Sequence, residues 1–118
     1  MPKPRERSHR LDRECYRGTT CVAFTLCVQD RSSLFTDAMI FTAFERTLLE
    51  TLKATKCSAH IYLFMPDHLH LLLDGDTEQS DLWETIVLFK QKTGYWLSKN
   101  KPEFKWQKDF FDHVLRKD

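Results

Sequence analysis

"SAHIYLFMPDHLHLLLD", residues 58–74, decides the fold. Residues 58–65 are rich in aromatic and branched side chains and read as a strand. Pro66-Asp67 breaks that run with turn chemistry, and "HLHLLLD" (68–74) resumes it, so the segment predicts a tight hairpin. Strand alternation puts His68 and His70 on one face, about 7 Å apart along the chain, and Leu69, Leu71 and Leu73 on the other. Leucines on one side and imidazoles on the other imply a sheet covered on one face only.

The flanking segments supply the cover. "TCVAFTLCVQ" (20–29) reads as a strand. Thr36 or Asp37 can cap a helix from about Ala38 to residue 55, whose apolar stripe is Phe41, Phe44, Leu48 and Leu52. After the hairpin, "GDTEQSD" (75–81) is a loop with Ser80 as the expected helix cap and Asp81 and Glu84 in the first turn. Leu82, Trp83, Ile86, Val87 and Phe89 then predict a second amphipathic helix to about Ser98. Pro102 bars its continuation, and "FFDHVLR" (110–116) reads as a last strand. The order is β-α-β-β-α-β, the ferredoxin-like or RRM-like arrangement of the α+β class: an antiparallel sheet with two helices on one face.

At 118 residues, 42% hydrophobic and 30% charged, the chain has the makings of a single globular domain. No apolar run approaches the ~20 residues of a membrane span. "MPKPRERSHR" is charged with no apolar segment behind it, unlike an export signal. The expectation is a cytoplasmic protein with no membrane partner. Cys15, Cys21, Cys27 and Cys57 form no C-x-x-C pair and are expected to be reduced thiols. A zinc site from Cys15, Cys21 and a histidine has spacing that structural zinc sites do not favour.

Charge is unevenly spread. Residues 1–17, read as a basic arm, hold six basic against three acidic residues, and residues 90–118 hold eight against four. The segment between is acidic, since the total is only +1. Basic ends suit phosphate binding, although a solvated surface is the commoner cause of such a bias.

Two imidazoles on an open sheet face can hold one divalent cation or contact phosphate directly. A lone H-x-H is more often two unrelated histidines. Neighbours exclude several other chemistries. Histidine-triad nucleotide hydrolases need a third histidine where Leu72 stands, JAMM-type metalloproteases need a Ser and Asp at a spacing that Ser80-Asp81 does not match, and two-histidine phosphoesterases need a hydroxyl where His70 stands.

"MPDHLHLLL" resembles the HUH motif of the single-tyrosine transposases of insertion sequences, above all their REP-associated branch. "YRGTTCVAFTLCVQDRSSLF" (16–35), "LWETIVLFKQKTGYWL" (82–97) and "WQKDFFDHVLRKD" (106–118) are similar to further segments of that branch, in the same order. The resemblance implies binding of single-stranded or hairpin DNA, and its cleavage and rejoining through a 5′-phosphotyrosine. It implies His68 and His70 as ligands of Mg²⁺ or Mn²⁺, and Lys90, Lys92, Tyr95, Trp106, Gln107, His113 and Arg116 as DNA contacts. It allows a homodimer, which no sequence feature requires.

In that family the attacking tyrosine lies on a helix after the segment matching "FFDHVLRKD". Tyr16, Tyr62 and Tyr95 do not fall there. The expectation is therefore a C-terminally truncated transposase-like domain over 18–118 that binds DNA without cleaving it alone. A second function class fits the same fold: a non-catalytic single-strand nucleic-acid binding module. A third, a zinc-stabilised domain using Cys15, Cys21 or Cys27, ranks last.

Overall fold

Val22, Phe24 and Leu26 of one strand face Leu73, Leu71 and Leu69 of its neighbour, and all six are buried in one apolar layer. In the computed structural model, which describes residues 12–117, these strands are β1 (Thr20–Cys27) and β3 (His68–Gly75). They form the centre of a four-stranded sheet. β2 (Cys57–Met65) lies outside β3 and β4 (Phe111–Lys117) outside β1, giving the order β2-β3-β1-β4 with every pairing antiparallel. The helices α1 (Ala38–Ala54) and α2 (Leu82–Asn100) cover the leucine face. The β-α-β-β-α-β order and the α+β class are those expected from sequence.

Local chemistry explains the element ends. Asp37 caps α1, its carboxylate accepting from the Met39 N–H at 2.8 Å. The buried stripe of α1 is Ile40, Phe44, Leu48 and Leu52, at a spacing of four. Phe41, expected in that stripe, is only half-buried and packs edge-on against Phe64 of β2. Asp81, not Ser80, caps α2, accepting from the N–H groups of Trp83 and Glu84. Ser80 is instead buried one residue earlier. Its hydroxyl accepts from the Asp76 and Thr77 N–H groups and donates to the Lys56 carbonyl, tying the two loops at this end of the sheet together.

β1 stops at Cys27, two residues short of the expected end. Val28 leaves the ladder to bridge Trp106, and Asp30 and Arg31 then take positive φ, which no strand allows. Of the arm read over 1–17, residues 1–11 lie outside the described residues. The remainder docks: Arg13–Tyr16 is a 3-10 turn, and the buried Tyr16 ring packs against Phe24 and Trp83 while its hydroxyl donates to Asp112.

Gly75 closes β3 where no side chain fits. A Cβ there would lie 1.9 Å from the Gly18 carbonyl oxygen, and Gly18 itself sits at φ +77°. That carbonyl accepts from the Thr20 N–H, so it cannot retreat without loosening the start of β1. Gly75→Ala is expected to lower stability by about 1–3 kcal/mol, the usual cost of overpacking, measured as a fall in the midpoint of thermal or urea unfolding.

Candidate functional site

The sheet face away from the helices carries His68, His70, Leu72 and Asp74 from β3. Beside them lie Cys27, Thr25, Ala23 and Cys21 of β1, and Met65, Leu63 and Ile61 of β2. Ile61 and Leu63 are about half-exposed, so neither helix covers this face. β4 adds Phe111 opposite Thr25 and His113 opposite Ala23.

His68 and His70 converge. Their rings stand nearly perpendicular, and their Nε2 atoms are 3.0 Å apart. Each ring is fixed from behind through Nδ1. His68 Nδ1 lies 2.6 Å from Asp67 Oδ1, and the other Asp67 oxygen accepts from Arg31 Nε at 2.9 Å. His70 Nδ1 lies 3.0 Å from the hydroxyl of Thr25, its direct partner across the ladder. The turn carrying Asp67 is itself held. The Val28 N–H donates to the Asp67 carbonyl and the Phe35 N–H to the Pro66 carbonyl, each at 2.9 Å.

Protonation follows from these partners. The Arg31 hydrogen bond, with help from His68, holds the Asp67 carboxyl below its ordinary range, so it is an acceptor. His68 therefore carries a proton on Nδ1 and can present the Nε2 lone pair. Burial, reinforced by the neighbouring His68, pushes His70 down toward its neutral form. The Thr25 hydroxyl can donate to or accept from His70 Nδ1, so either tautomer is satisfied. With Nδ1–H toward Thr25, both Nε2 atoms are unprotonated and stand 3.0 Å apart. Two ligands at right angles on an ion with ~2.1 Å metal–nitrogen bonds stand about 3.0 Å apart, so the donor set fits a divalent cation. A ring nitrogen anchored to a carboxylate or hydroxyl is the usual support of a metal-bound imidazole.

The other expected site residues divide between two surfaces. His113 is exposed on β4, on the histidine face. Arg116 pairs with Cys21 in the β4 ladder, and its side chain lies outside the described residues. Lys90, Trp106 and Gln107 line a cavity of about 540 Å³ between α2 and the segment leading to β4. There Lys90 Nζ donates to the Gln107 and Lys108 carbonyls, and Trp106 Nε1 donates to Thr93 Oγ1 while its ring packs on Phe44 and Phe89. Both side chains hold that segment against α2. Lys92 and Tyr95 are exposed on α2, with Lys99 Nζ over the Tyr95 ring. The Gln107 N–H donates to the Cys27 carbonyl, next to the His68 end of the sheet.

Sequence reading missed Thr25 and Arg31, because their roles depend on strand register and on a positive-φ turn. Among the described residues, three ligand-type side chains meet at Cys21, His60 and Asp74. That cluster is not at the histidine pair.

An antiparallel sheet covered by two helices on one face only places the chain in the ferredoxin-like α+β class. Within that class the chain belongs to the IS200-like transposase family, whose family model matches residues 19–114. Among solved structures it resembles a REP-associated tyrosine transposase bound to a REP hairpin, with a TM-score of 0.71 at 16% identity. That match covers 100% of this chain and 64% of the other, so this chain spans somewhat under two thirds of that relative. It also resembles a Deinococcus radiodurans R1 protein assigned as a transposase, with a TM-score of 0.69 at 15% identity, covering 99% of this chain and 88% of the other. No curated protein matches the chain. No helix among the described residues is long and apolar enough to cross a membrane.

A cation held by the two Nε2 atoms would feel the loss of either anchor. Thr25→Val and Asp67→Ala are each expected to lower Mn²⁺ affinity about 10- to 100-fold, read by calorimetric titration. Equal affinity in all three proteins would show that the anchors do not serve a metal.

Proposed function

We propose that this chain is the metal- and DNA-binding domain of an HUH-type single-tyrosine transposase. Its uncovered sheet face takes single-stranded or hairpin DNA, and His68 and His70 hold Mg²⁺ or Mn²⁺ against a DNA phosphate. The observation that carries the reading is the 3.0 Å approach of the two Nε2 atoms, each ring anchored through Nδ1. Family membership and the hairpin-bound relative support DNA as the partner. A cation bound there would stabilise charge developing on a phosphate oxygen.

The protein's own part is positional. Asp67, clamped by Arg31, fixes the ring of His68; Thr25 fixes that of His70. None of the three tyrosines faces this pair. Tyr16 is buried among the core aromatics, Tyr62 on the helix side of β2 donates to Glu45, and Tyr95 lies on α2. The 118-residue chain alone therefore binds DNA without forming a phosphotyrosine.

The second reading, a nucleic-acid module without metal, would read bases through aromatics on the open face. Besides the histidines, the described strands place only Phe111 there, which favours the metal reading. Mn²⁺-dependent binding of a labelled hairpin oligonucleotide separates them. Chelator, or His68→Ala with His70→Ala, is expected to weaken binding by roughly tenfold or more, the scale of losing one charge-assisted contact set. Binding indifferent to both treatments would select the metal-free module. A covalent protein–oligonucleotide adduct with the purified chain would overturn the assignment of the tyrosines.

A further inference from the structure

Some 13 Å along β3 from His70, at the strand rise of 3.3 Å per residue, Asp74 sits on the same open face. Its cross-strand partner in register on β1 is Cys21. His60 of β2 reaches the same point, its Nε2 lying against an Asp74 carboxylate oxygen. One ligand atom from each of the three residues lies within 4.8 Å of the other two.

Two irregularities in the sheet frame this cluster. The β2–β3 register shifts between Ala59 and Ile61, leaving His60 as the extra residue, and the β1–β4 register shifts between Cys21 and Val22. Without the first bulge, strict alternation would turn His60 to the helix side with Tyr62 and Phe64. A bulge re-aims a side chain, and this one brings an imidazole to a carboxylate and a thiol on the opposite face.

We propose that Cys21, His60 and Asp74 form a zinc site that clamps β1, β2 and β3 together. A thiolate and an imidazole are a donor pair that selects zinc over Mg²⁺ or Ca²⁺. The thiolate and carboxylate together carry the two negative charges that neutralise Zn²⁺. As the Zn–Sγ bond forms, the Cys21 thiol proton passes to solvent, and no electron changes hands. His60 is 56% exposed in its side chain, so an ion can reach the cluster from solvent on that side. The site is separate from the His68–His70 pair and does not depend on the function proposed for that pair.

Cobalt reports on it directly. The reduced full chain, stripped with chelator, is titrated with Co²⁺ and followed by thiolate-to-cobalt charge-transfer absorption, which Zn²⁺ should bleach. The band is expected in the parent chain and, undiminished, in the chain carrying His68→Ala and His70→Ala. Cys21→Ser should abolish it. His60→Ala, an exposed change expected to keep the parent's circular dichroism, should lower Co²⁺ affinity by about tenfold or more. Absence of the band in the parent chain would overturn the proposal. So would a band that survives Cys21→Ser, which would place the thiolate elsewhere, or one indifferent to His60→Ala. Loss of metal-dependent DNA binding on changing His68 and His70, with this band intact, would separate the two sites.

Discussion

Everything on this chain depends on the register between β1 and β3. Pairing Thr25 with His70 drops Leu69, Leu71 and Leu73 into the core and lifts both histidines to the open face. A slip of one residue would bury two imidazoles and expose three leucines. The leucine layer alone therefore fixes the histidines on the open face: fully burying each leucine contributes about 1.5–3 kcal/mol. The histidines do not have to stabilise their own placement.

The turn at Pro66-Asp67 converts that register into a preset pair. Backbone N–H groups of Val28 and Phe35 fasten its two carbonyls, so Asp67 is fixed before it meets a partner. Between Arg31 and His68, the carboxylate serves as structural acceptor and imidazole anchor at once. Arg31 gains this position from a left-handed backbone, φ 54°, an arrangement a non-glycine residue adopts only where its surroundings hold it there. The same 28–35 segment ends β1 and supports the turn. The first strand and the histidine pair are thus mechanically linked.

How much of this was legible in the sequence follows from the range over which each feature is determined. The hairpin, the two helices and the faces of β3 were readable because alternation and helical spacing act over a few neighbouring residues. Of the α1 stripe expected from spacing, Phe44, Leu48 and Leu52 are buried, and only its first place differs: Ile40 fills it, because Phe41 turns to Phe64 of β2. The α2 cap fell on Asp81 because Ser80 is used to close a distant loop at Lys56. The contacts by which Lys90 and Trp106 hold the segment before β4 join residues 17 and 13 positions apart, beyond the reach of local patterning. Cys21, His60 and Asp74 were invisible as a group, since only a bulge brings His60 to the face of the other two.

The sheet itself restricts the chemistry available to the histidine pair. The hydroxyls of Tyr16 and Tyr62 lie on the helix side, with their partners Asp112 and Glu45, and Tyr95 stands on the helix layer. The closed hydrogen-bond ladder of β1 and β3 leaves no path through the sheet. No rotamer change carries any of these oxygens to the opposite face. An attack on a phosphate held at His68 and His70 must therefore come from a hydroxyl that approaches the open face from the solvent side. Water, a DNA 3′-OH, or a tyrosine on a different polypeptide segment meets that condition, and the three tyrosines of this domain do not.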